Sequence, residues 1–162
     1  MNTPDAVHHA RPPERQALLN PAFIAILLAH AAAGHEQRTQ QPMPLALCFL
    51  IAPIVLHAPT RDALPRKVTT KPGPWLDANP VLRAGFAARA RSAAPAVRAG
   101  LREGLRAGAL ELSGERVTGR PPRRRSSVTL TEEVEDILMR AAFAGAGLAS
   151  PAQPSAATPC GV

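Results

Sequence analysis

Apolar residues recur along this chain at helical spacing, in segments that open on a proline-containing start signal and close on glycine or polar residues. Asn20-Pro21 is the first such start: asparagine can cap a helix, and proline costs nothing at a first position whose N–H has no helical partner. Phe23, Ile24, Leu27 and Leu28 then repeat on one face, which predicts a helix to about His35, ended by Gly34 and the polar stretch Glu36 to Gln41. Pro44 opens a second helix, Leu45 to about His57, apolar nearly all round and therefore central. Asn79-Pro80 repeats the start signal, with Leu82 and Phe86 on the buried side and an end near Arg91, because Ser92-Ala93-Ala94-Pro95 restarts the chain. In the helix expected over 96–107, Val97, Leu101 and Leu105 form an apolar stripe, and Arg98, Arg102 and Arg106 form a cationic one beside it.

Gly108 is placed to end that helix in a left-handed conformation. The next ten residues, Ala109 to Thr118, read as a tight hairpin. With Ser113-Gly114 as the turn, Leu110 faces Val117 and Glu111 faces Arg116. Thr129 and Glu132 have capping-box spacing ahead of a last helix from Thr131 to about Phe143, with Val134, Ile137 and Leu138 inward. Between the elements, Arg66 to Pro74 reads as a loop with a short extended piece at Val68 to Thr70, and Trp75-Leu76 as a turn docked on the core. The expected organisation is a disordered segment over 1–17, a helical core over 18–119, a basic Pro/Arg linker over 120–128, a C-terminal helix over 129–149 packed on that core, and a disordered tail over 150–162. The fold class is mainly α: a compact multi-helix domain with one β-hairpin, in the outline of a winged helix-turn-helix.

Composition narrows the function. Tyrosine is absent and aromatics are 3%, so the core must be aliphatic. The net charge of +7 comes almost wholly from arginine, since Lys67 and Lys71 are the only lysines. That balance suits a polyanionic partner, nucleic acid or an acidic protein face, and equally the codon usage of a GC-rich genome. Cys48 and Cys160 make neither a disulfide framework nor a metal spacing, which fits a reducing compartment. The longest apolar runs, Pro21 to Ala33 and Leu45 to Leu56, fall short of the roughly 20 residues that a membrane span needs. No short basic leader precedes the first of them, so a cytoplasmic protein without membrane association is expected.

No catalytic, cofactor-binding or metal-ligating set emerges from the sequence. His8, His9, His30, His35 and His57 match no ligand pattern, and Glu132, Glu133, Glu135 and Asp136 crowd a helix start where the dipole favours negative charge. No serine sits in a nucleophile elbow and no lysine accompanies a phosphate-cradling glycine loop. The remaining candidates are contact residues. Arg98, Arg102 and Arg106 are spaced to meet phosphates or an acidic partner, or simply to solvate a helix face; Arg123, Arg124 and Arg125 add charge in the linker; Trp75 offers an aromatic docking point.

Several segments in order resemble one family: Asn20-Pro21-Ala22-Phe23 opening an apolar helix; Pro44 to Leu56 continuing as Leu56-His57-Ala58-Pro59-Thr60-Arg61-Asp62-Ala63-Leu64-Pro65; Trp75-Leu76 before Asn79-Pro80; and Gly108-Ala109-Leu110-Glu111-Leu112 leading into the hairpin. Together they resemble the middle component of bacterial three-component ABC conflict or defence systems, over about residues 18–145. The stretch around Leu56 to Pro65 is the most specific part, and the ending from Pro151 to Val162 departs from the family's apolar finish. The resemblance implies a non-enzymatic adaptor that links an ABC ATPase to a third component encoded nearby, with no cofactor and no site residue to carry over. The alternative from the residues alone is a DNA-binding winged-helix transcriptional regulator, motivated by the charge and the arginine stripe.

Overall fold

A long helix starts where Asn20 accepts the backbone N–H of Ala22 at its side-chain oxygen, 2.9 Å away. The computed structural model describes residues 19–65, 75, 77–123 and 129–148. Among them are five helices and one small antiparallel sheet, which packs on the first and fourth helices. Helix α1 (Pro21–Thr39) is followed by strand β1 (Met43–Pro44), a 3-10 turn (Leu45–Leu47), α2 (Cys48–Leu56) and α3 (Ala58–Asp62). The long α4 (Pro80–Arg106), the hairpin of β2 (Leu110–Ser113) and β3 (Arg116–Gly119), and α5 (Glu132–Gly147) complete the order. No helix among the described residues is long and apolar enough to cross a membrane.

The centre is α1 and not α2 alone. Ile24, Leu27 and Leu28 are fully buried, each worth about 1.5–3 kcal/mol on leaving water, and Ala29, Ala31 and Ala32 are buried beside them. Small residues on this helix let neighbours come close. A Cβ on Gly34 would strike the carbonyl of Ala142, and one on Gly145 would strike the carbonyl of Ala31, so α1 and α5 cross at backbone contact. This is why α1 runs on through Gly34, where the sequence suggested a stop. It ends instead at Gln40, in the left-handed region at φ 57°, whose N–H reaches the Glu36 carbonyl. The start of α5 is capped by Thr131 through Val134 N, in place of the expected Thr129.

Three further expectations need correction. The chain does not restart at Ser92–Pro95: α4 is one helix of 27 residues with Pro95 inside it. Proline there removes only the bond to the carbonyl of Arg91, an exposed residue that water can reach, and Ala93, Ala94 and Ala96 favour helix on both sides. The Asn79 side chain does not cap α4; it donates to the Trp75 carbonyl at 2.8 Å. The hairpin turn is Gly114-Glu115 and not Ser113-Gly114, giving Leu112↔Val117 and Ser113↔Arg116. Gly114 takes φ +58°, as the first central position of a type II′ turn requires.

The sheet also has a third strand that the sequence did not suggest. β1 pairs with β3 through Met43↔Val117 and Pro44↔Arg116, giving the order β1-β3-β2. Pro44 is tolerated because β1 is an edge. Met43 and Val117 are buried on the face against α1, where Gly119 approaches the Ala29 carbonyl. The expectations for residues 1–17 and 150–162, the extended piece at Val68 to Thr70, and Leu76 lie outside the described residues.

Candidate functional site

In the stretch Leu56 to Pro65, Thr60 and Arg61 turn inward. His57 breaks the helix between α2 and α3 with extended backbone, φ −95° and ψ 104°, and its carbonyl accepts from the backbone N–H groups of Thr60 and Arg61 at 2.9 Å. His57 Nδ1 and Thr60 Oγ1 are hydrogen-bonded at 2.7 Å. Arg61, only 6% exposed, folds back over α2 so that Nη1 donates to the Val55 carbonyl at 2.9 Å. Its other edge meets α5: Nε lies 3.1 Å from Asp136 Oδ2, an ion pair without hydrogen-bond alignment, and Nη2 lies 3.5 Å from Glu133 Oε1. Arg140 meets the second oxygen of Asp136 at 3.4 Å. Arg61 therefore fastens α2–α3 to α5, and the acidic start of α5 serves this cation as well as its own helix dipole.

The candidate contact residues separate into different settings. Trp75 is half-buried and spends its indole N–H on the Ala63 carbonyl at 2.8 Å, so the ring anchors the segment that leads into α4. Arg98 sits over the ring of Phe49, 5.8 Å from its centroid, a cation–π contact that holds the guanidinium at the surface. Arg102 is exposed, and Arg106 is exposed with an ion pair to Glu103 at 3.0 Å. Leu105, expected in the apolar stripe, is 40% exposed, while Val97 is buried and Leu101 packs against the core. Arg123 stands elsewhere, at a groove beside α1 and α5, and Arg124 and Arg125 lie outside the described residues.

That groove has a volume of about 740 Å³ and is open to solvent on one side. Phe23, Ile26, Val134 and Leu138 give it an apolar lining, with Met139 at its rim and Arg123, Glu135 and His30 among its polar members. Met139 is 66% exposed, beside the buried Ile137, Leu138 and Ala141 of the same helix. Burial holds the His30 imidazole below its ordinary pKa, favouring the neutral ring. His35, by contrast, belongs to the helix crossing: its Nδ1–H donates to the Gly145 carbonyl at 3.1 Å. Burial lowers its pKa most, the bond to Gly145 opposes that, and the nearby charge of Arg116 adds to the lowering.

Among the described residues, no three histidine, cysteine or acidic side chains come together as metal ligands would. Cys48 is buried in the core, which pushes its thiol up to about 12 and keeps it from being a nucleophile near neutral pH. His35, His57, the carboxylates around Arg61 and the indole of Trp75 are committed to internal contacts; the arginine face of α4 and the α1–α5 groove, with His30 in its lining, remain turned outward. The sequence had no signal for the groove, because its walls come from segments more than a hundred residues apart.

Comparison with known proteins places these features in a family. A family model described as "ABC-three component (ABC-3C) system Middle Component 3" matches residues 8–160. No curated protein and no solved structure matches the chain.

Proposed function

Since the chain belongs to the middle component 3 family of ABC-three component systems, we propose that it is a non-catalytic adaptor joining an ABC ATPase to a third protein in a bacterial conflict system. The observation that carries this reading is the family match over residues 8–160, nearly the whole chain. The shape of the molecule supports it. The buried polar groups tie helices to one another, and the surface offers an apolar groove in place of a reaction site. Exposed apolar area at a concave surface is what a protein partner covers. We assign partner docking to the groove between α1 and α5, with Met139 at its rim. The three-stranded order β1-β3-β2 after α1, and a helix leading directly into the hairpin, support a winged helix-turn-helix relationship, a fold that serves protein contacts as readily as DNA.

The test is co-expression of this chain, affinity-tagged, with the ATPase and third protein encoded beside it. The tagged chain should retain both neighbours, and Met139→Glu should weaken that retention while leaving thermal stability within about 0.5 kcal/mol, as expected of an exposed position. Retention of neither neighbour, or a gene neighbourhood without an ABC ATPase, would refute the proposal.

A further inference from the structure

Because α4 continues through Pro95, Arg91 falls on the same face as the arginines that follow it. At 3.6 residues per turn, Arg91, Arg98 and Arg102 point within about 40° of one another, and Arg106 lies about 40° further round. All four are exposed, and the row from Arg91 to Arg106 is about 22 Å long at 1.5 Å per residue. Glu103 is the only acidic residue on α4, and it is matched by Arg106. Arg91 and Arg102 have no ion pair or hydrogen bond among the described residues, and Arg98 is steadied by Phe49. We propose that this face of α4 binds the phosphate backbone of double-stranded DNA, without reading its sequence.

Three observations favour DNA over an acidic protein surface. Between Arg91 and Arg102 this face carries only the small residues Ala94, Pro95 and Ala99, and the exposed Ala84, Ala87 and Ala88 continue it ahead of Arg91, so a phosphate backbone can approach closely. A protein interface needs buried aromatic or aliphatic anchors at its centre, and the one large apolar residue exposed between Arg91 and Arg106, Leu105, lies at the end of the row and not in its middle. The cations are all arginine, whose planar fork matches phosphate oxygens, and they are strung along a single helix. The site is separate from the α1–α5 groove, so DNA binding and partner docking can fail independently.

Fluorescence anisotropy of the full chain with a labelled duplex of random sequence tests this. Three phosphate contacts, from Arg91, Arg98 and Arg102, give a slope of about −2.7 in log K against log salt, or about 40-fold weaker binding from 50 to 200 mM salt. Arg91→Ala/Arg102→Ala, which breaks no internal contact, should cut the slope to about −0.9 and the salt effect to about 3.5-fold. Arg38→Ala/Arg120→Ala removes the same charge from exposed positions outside α4 and should leave the slope near −2.7. Equal behaviour of the two double variants, no DNA binding by the parent chain, or displacement of the duplex by polyglutamate at equal charge concentration would each overturn the proposal, the last by pointing to an acidic protein.

Discussion

Replacing Arg61 with alanine should weaken the fold more than its place in a five-residue helix suggests. The guanidinium is the only described group that bonds simultaneously to the Val55 carbonyl and to two carboxylates of α5. Val55 is fully buried, so its carbonyl loses a partner that water cannot readily replace, at about 1–3 kcal/mol. The carboxylates contribute less: Asp136 and Glu133 have side chains 35% and 57% exposed, so each lost pair is worth about 0–1 kcal/mol. The buried arginine stem adds packing that alanine does not restore. The sum is about 2–4 kcal/mol, or a melting temperature lower by about 4–16 °C for a chain of this size. Urea denaturation is the right assay, since guanidinium salt would screen the ion pairs. A double-mutant cycle with Asp136→Asn should return a coupling of about 0.5–1 kcal/mol, limited by the exposure of Asp136. If Arg61→Ala shifts stability by less than about 0.5 kcal/mol, the range of an inert surface change, the fastening role assigned to this residue is wrong.

Two further outcomes follow from the crossing of α1 and α5. Gly145→Ala should cost about 1–3 kcal/mol by overpacking against the Ala31 carbonyl, whereas Gly147→Ala, two residues on and with open space around it, should be neutral or stabilise by up to about 1 kcal/mol; paired thermal melts check both. For His35 the folded pKa lies below the ordinary 6.5, so the unfolded chain binds more protons below that value: its contribution is complete above about pH 6.5 and declines as pH falls toward the folded pKa. Stability measured between about pH 5 and 7 should therefore rise with pH, and His35→Gln, which keeps a donor for the Gly145 carbonyl, should flatten part of that rise.

Much of this fold could be read from the chain, and the failures have physical causes. Asn20-Pro21 marked the start of α1, and Ile137 and Leu138 were correctly turned inward on α5, because caps and periodicity are local. The hairpin was found but its register was wrong by two residues. A slip of two keeps every side chain on its own face, so the hydrophobic pattern could not distinguish the alternatives, and the backbone of Gly114 decided. Strand β1 is two residues long and exists only because β3, more than seventy residues away, accepts it. Pro95 reads as a stop in the sequence, but alanine-rich neighbours carry the helix past it, and only that continuity aligns Arg91 with Arg98 and Arg102. In the stretch around Thr60-Arg61 the arginine makes internal contacts: a sequence shows that an arginine is present, not that it will be 6% exposed against Val55 and Asp136.

The bridging role itself is open to one direct measurement. With the affinity tag moved to the ABC ATPase, the amount of third component recovered is compared between cells that express this chain and cells that lack it. An adaptor predicts recovery only when the chain is present, and reduced recovery with Met139→Glu. Equal recovery in its absence would show that the two proteins meet without it and would contradict the account.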